Sequence, residues 1–222
     1  KNVGYLAYQI AEHKGNIGEH YITNDKKEYF EFFKSAFGGG VVIAFLVVLK
    51  IFVSKLPLTD FWMAVCYSLV YGLGFVAIHL LGFTVATKQP AMTASALASS
   101  LDNRKSNTSL QSEALLMAKV SRSQFIAVMG NLLAVFPVAL IIAYAFSFVF
   151  GANITNEEHA IHYLDDINPM YSLCWFYGGI AGMYLFLSGI VTGYFDNEVV
   201  YSKIPERIRE HPFLKSVLST RR

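Results

Sequence analysis

The sequence predicts an all-α, polytopic integral membrane protein with about four transmembrane helices and flanking cytoplasmic amphipathic helices. Three observations carry this. Hydrophobic residues make up 54% of the chain and charged residues 15%, against roughly 25% charged in soluble domains. The apolar residues gather in four runs, 36–53, 61–86, 125–150 and 171–195. At about 1.5 Å rise per residue, the last three exceed the roughly 30 Å hydrocarbon core of a bilayer. If all four span, sixteen of the eighteen lysines and arginines fall on one side, the pattern of the positive-inside rule.

That bias puts both termini in the cytoplasm. Lys50 and Lys55 are the two exceptions, at the far end of the first run, where Lys50 can snorkel outward. Trp62 and Trp175 open runs that start on the outer face, where aromatic belts lie. Residues 1–35 read as a cytoplasmic helical segment, with helical spacing up to His13, a turn at 15–18, and Thr23-Asn24-Asp25 as a helix start. No cleavable signal peptide is visible, and a chain opening on Lys1 is expected to be a processed product or a piece of something longer.

The transmembrane domain is expected over 36–195, with a cytoplasmic loop at 87–124 and an outer loop at 151–170. Gly38, Gly39 and Gly40 open the first span, where they allow another backbone to approach closely. After the second span, Thr87, Lys88, Gln89 and Pro90 form a turn at the membrane boundary. Lys88 suits both a helix C-terminus and anionic headgroups, and Pro90 biases Gln89 away from helix. A short interfacial or re-entrant helix is expected from Ala91. Pro137 is expected to bend the third span by freeing the carbonyl of Leu133. In the fourth, Gly178, Gly182, Gly189 and Gly193 fall within about 60° of one another, a groove of small residues on which another helix should pack. The tail, 196–222, is basic and amphipathic, with Pro205 and Pro212 setting helix starts.

Ionisable and polar groups inside spans are candidates for function. His79, Asn131 and Ser188 each lie about 10 Å from the cytoplasmic end of their run. They are expected to form an intramembrane polar layer facing the bundle interior, the alternative being a hydrogen bond that only holds helices together. In the outer loop His159, His162 and Asp166 share one helical face at spacings that suit a divalent metal. No HExxH accompanies them, so no metal or cofactor is expected. Cys66 and Cys174 sit inside apolar runs and read as small core residues.

The chain contains no phosphate-binding loop, no G-x-S-x-G elbow and no CxxC. The stretches "GEHYITNDKKEYFEFFKSAFGGG" (18–40), "FTVATKQPAMTA" (83–94) and "LFLSGIVTGYFDNEVVYSKIPERIREHPFL" (185–214) resemble the C-terminal part of the bacterial membrane proteins called site-specific recombinases, the Gcr-like family. The resemblance covers nearly the whole chain, and family members are longer, so it implies their membrane-embedded C-terminal third. By name it implies DNA strand exchange. A tyrosine recombinase needs a His-x-x-Arg pair around its transition state, and none of the six histidines has arginine three positions on. The expected function is therefore a non-catalytic scaffold or assembly subunit of the bacterial inner membrane, multi-pass. A conduit or lipid- or small-solute-handling protein is the alternative, and DNA recombination a second. Expected partners are the bilayer and proteins or a second copy meeting the glycine face, with nucleic acid not expected.

Overall fold

A computed structural model of the protein describes residues 22–88, 93 and 109–212. Among them every regular element is helical: α1 (Lys26–Ser54), α2 (Asp60–Leu80), a 3-10 turn (Ala86–Lys88), α3 (Ser109–Phe150), α4 (Glu157–Asp166), α5 (Cys174–Tyr201) and α6 (Ile204–Glu210). Three stretches, Lys26–Ser54, Asp60–Leu80 and Ala114–Phe150, are long and apolar enough to cross a membrane, and Cys174–Ser188 is a shorter apolar helix. The protein is thus all-α and membrane-like among the described residues. The helix and turn expected before Tyr21, and the interfacial helix expected after Ala91 apart from Thr93, lie outside them.

α1 begins at Lys26 rather than with the apolar run at 36, because its N-terminus is capped there. Asp25 Oδ1 accepts from the Glu28 N–H at 2.8 Å, and Glu28 Oε2 accepts from the Asn24 N–H at 2.7 Å. This is a capping box moved outward by one residue. A row of rings then carries the helix toward the glycines, with Phe30 and Phe33 centroids 6.2 Å apart and Phe33 and Phe37 6.1 Å apart.

α3 is the principal neighbour of α1, and α2 packs on α1 over a smaller area. The core is made of small and aromatic side chains, with Phe32, Ala36 and Ala127 buried and Ala86 and Ile126 set against them. The backbones can approach because the facing positions are small. A Cβ at Gly130 would lie 2.7 Å from Ala36 Cβ and 3.1 Å from Phe33 O, and one at Gly74 would run into the Leu46 side chain. Such small-residue contacts drive helix association where no hydrophobic force acts between helices.

The helical part of the second apolar run stops at Leu80, short of 86. Phe83 N–H donates to Ile78 O and Gly82 N–H to His79 O, each at 3.0 Å, with Gly82 at φ +70°. This is a Schellman stop, which uses glycine because a Cβ is unfavourable in the left-handed region. The chain then runs as a short strap, 83–85, into the 3-10 turn. Val85 is buried, with an exposure of 5%. α3 remains helical through Pro137, and α6 opens with Pro205 in its first turn as expected.

α5 differs from the other long helices. Its main contacts among the described residues are with α6 and with the 3-10 turn. Trp175, Phe176, Met183 and Tyr184 are all exposed.

The glycine contacts make a test. A Cβ on Gly39 would collide with Thr84 O, whereas one on Gly72 meets nothing within 4 Å. Gly39→Ala is expected to cost about 1–3 kcal/mol in SDS-titration unfolding of the detergent-solubilised protein, and Gly72→Ala to leave the midpoint unchanged or slightly raised.

Candidate functional site

The most constrained polar arrangement lies where the strap crosses α1 and α3. Asn131, on α3, is buried, with an exposure of 7%. Its Nδ2 donates to Ala36 O on α1 at 2.5 Å and to Thr84 O on the strap at 3.1 Å. Its Oδ1 accepts from the Ala86 N–H at 2.8 Å. Both N–H donors and the carbonyl of the amide are therefore used, all on backbone groups.

Ser35 repeats the pattern from the α1 side. Its Oγ donates to Gly82 O at 3.1 Å and lies 2.9 Å from Thr84 Oγ1, while its carbonyl accepts from the Thr84 N–H at 3.2 Å. The three glycines of α1 make room for this. A Cβ at Gly38 would lie 2.5 Å from the Phe83 ring and one at Gly40 2.5 Å from Asn131 O.

Of the three residues expected in a polar layer, Asn131 is buried, while His79 and Ser188 lie exposed on α2 and α5. The partners of Asn131 are backbone groups of Ala36, Thr84 and Ala86. In the boundary turn, Thr87 and Lys88 lie in the 3-10 turn, which touches α5, and Gln89 and Pro90 fall outside the described residues. Gly178 and Gly182 have no atom within 4 Å of an added Cβ, so nothing described in this chain fills that part of the groove. Gly189 and Gly193 continue α5, but their surroundings are outside the described residues.

The loop end of the bundle holds a second arrangement. His162 Nδ1 lies 3.2 Å from Asp166 Oδ2, whereas His159 Nδ1 turns back to the N-cap Asn156. The three candidate ligands thus do not converge, and no metal-ligating cluster of three occurs among the described residues. Cys66 and Cys174 are free thiols. Next to α4 is a polar cleft of about 470 Å³, lined by the end of α1 at Ser54 and Lys55, by the 153–156 loop, and by His159 and Tyr163. Lys55 Nζ donates to Ile154 O, and Ser54 Oγ lies 3.3 Å from Tyr163 OH.

At the opposite end, the segment entering α1 is tied to α3. Thr23 N–H donates to Ser123 Oγ at 2.9 Å, and the two hydroxyls are 2.8 Å apart. Arg122 Nη2 donates to Thr23 O at 2.7 Å, and Lys119 Nζ to Asn24 Oδ1 at 2.9 Å.

Residues 1–222 match the family described as "Site-specific recombinase". The chain belongs to that family. No curated protein and no solved structure matches it. In this recombinase-family chain, Arg122 of α3 donates from Nη2 to Thr23 O and lies 5.6 Å from the centroid of the Tyr29 ring.

Ser35, Thr84 and the Thr23–Ser123 pair were not singled out from sequence. A hydroxyl next to a glycine run, or within one turn of a span's end, is the pattern that marks them.

Replacing Asn131 tests its role. Asn131→Leu leaves the Ala86 N–H and two carbonyls without their partner and is expected to cost about 2–3 kcal/mol in the same unfolding assay. Asn131→Asp keeps the shape but cannot donate, and is expected to destabilise at least as much at neutral pH.

Proposed function

We propose that this chain is a non-catalytic membrane scaffold or assembly subunit of the bacterial inner membrane. Both of its termini face the cytoplasm, and α5 supplies the interaction surface. The observation that supports this most is the contrast between two helix faces of similar composition. Along α1 and α3 each glycine contact is filled, so that a Cβ at Gly38, Gly40 or Gly130 would clash. On α5, Gly178, Gly179 and Gly182 are open, beside exposed Trp175 and Tyr184.

Small residues on an apolar helix permit close packing of a second helix, and within the described chain that second helix is not supplied. The occupant is a protein helix, either from another subunit or from a second copy.

The family name supports a second reading, DNA recombination. Electrophoretic shift of a DNA duplex by the purified protein at moderate salt would favour it, because nonspecific phosphate contacts weaken steeply as salt rises.

The scaffold reading is tested by cross-linking in native membranes. Gly178→Leu combined with Gly182→Leu is expected to reduce the cross-linked assembly about tenfold while leaving the unfolding midpoint of the α1–α3 bundle unchanged. An unchanged assembly would overturn the reading.

A further inference from the structure

The cleft at the loop end has no part in the scaffold surface, and its chemistry is specific. Lys55 projects into it from the C-cap of α1, and one of its three donors is spent on Ile154 O. The ammonium also sits 5.8 Å above the Phe52 ring. Below, Phe52 meets Phe146 at 5.6 Å, and Phe146 meets Phe150 at 4.6 Å. Phe52 is 38% exposed and Phe150 66%. Lys55 thus links a cleft lined by polar side chains to an accessible row of aromatic rings, at the ends of helices long enough to cross a bilayer.

We infer that this cleft holds the headgroup of a zwitterionic phospholipid, its phosphate on Lys55 and its acyl chains along the Phe52–Phe146–Phe150 wall. The two N–H groups of Lys55 not spent on Ile154 and the Tyr163 hydroxyl, turned from its contact with Ser54 Oγ, supply donors to phosphate oxygens, the stronger contribution coming from the charged donor. The aromatic wall favours a lipid over free phosphate, because free phosphate gains nothing from apolar surface. Charge selects the headgroup. Glu157, Glu158, Asp165 and Asp166 lie on α4, the helix that lines the cleft through His159 and Tyr163. Their field disfavours a net anion and favours a ligand whose phosphate is balanced by an ammonium. The inference rests on α1–α3 spanning the bilayer and is independent of what α5 binds.

The test is native mass spectrometry of the full chain released from detergent, offered phosphatidylethanolamine, phosphatidylglycerol or inorganic phosphate at equal concentration. Phosphatidylethanolamine adducts are expected to predominate. They should fall about tenfold in Lys55→Gln and about threefold in Tyr163→Phe, and be retained in Lys55→Arg. Should Lys55→Gln fail to fold, Tyr163→Phe decides, since it keeps the ring. Retention at the wild-type level in Lys55→Gln or Tyr163→Phe, equal or greater binding of phosphatidylglycerol, or displacement of lipid by inorganic phosphate would each overturn the inference.

Discussion

The fold turns on how a non-helical strap is accommodated between membrane-length helices. Water is scarce at such depth, so each backbone group that leaves a helix needs a partner within the protein. Four backbone groups along 82–86 find such partners in Ser35 and Asn131. Ser35 binds Gly82 O through its hydroxyl and the Thr84 N–H through its carbonyl, and Asn131 takes Thr84 O and the Ala86 N–H. The remaining N–H of Asn131 is fixed on Ala36 O. One amide therefore joins α1, α3 and the strap, which is possible only if the three backbones lie almost in contact. Gly38, Gly39 and Gly40 provide that proximity, each facing a different neighbour: the Phe83 ring, Thr84 O and the Asn131 backbone.

Polar bonds between membrane helices average only about 0.6 kcal/mol, because the separated helices find other partners. A bond to strap backbone is different, since the alternative partner for a buried N–H or carbonyl is lipid. Geometry and energy reinforce one another here. The glycines bring the strap close enough for Asn131 to reach it, and the hydrogen bonds fix the strap where the glycines leave room. The same economy appears at the entry to α1, where Thr23, buried to 3% exposure, is bound through its N–H, hydroxyl and carbonyl by Ser123 and Arg122 of α3. The α1–α3 pair is held at both of these levels.

Apolar run length and charge bias made the helical, membrane-like character legible, because both act over whole segments. Asp25 as the start of α1 was legible too, since capping is local chemistry. The end of α2 was not read from an apolar run that continues to residue 86. Hydropathy does not distinguish a helix from an extended strap of Phe83, Thr84 and Val85, and the deciding residue was Gly82 with its positive φ. Depth counting drew attention to Asn131 as a polar group inside an apolar run, but depth carries no azimuth. It therefore grouped buried Asn131 with His79 and Ser188, which lie exposed. The Lys55 cleft was invisible for another reason: its walls come from positions roughly a hundred residues apart, joined through the tertiary contacts of Lys55 with Ile154 and of Ser54 with Tyr163.

The family name and the described chain meet at the basic residues. A recombinase active site holds its arginines around a phosphate, preorganised by the surrounding protein. On α3 the described contacts of two cations are with the protein itself. Arg122 gives its guanidinium to a backbone carbonyl and an aromatic face, and Lys119 gives its ammonium to an asparagine of the segment that leads into α1. Both cations are used to fasten that segment to the bundle. A guanidinium carries five N–H donors, and a single one of them, on Nη2, holds Thr23 O; the packing of α1 on α3 thus draws on part of what this side chain can donate.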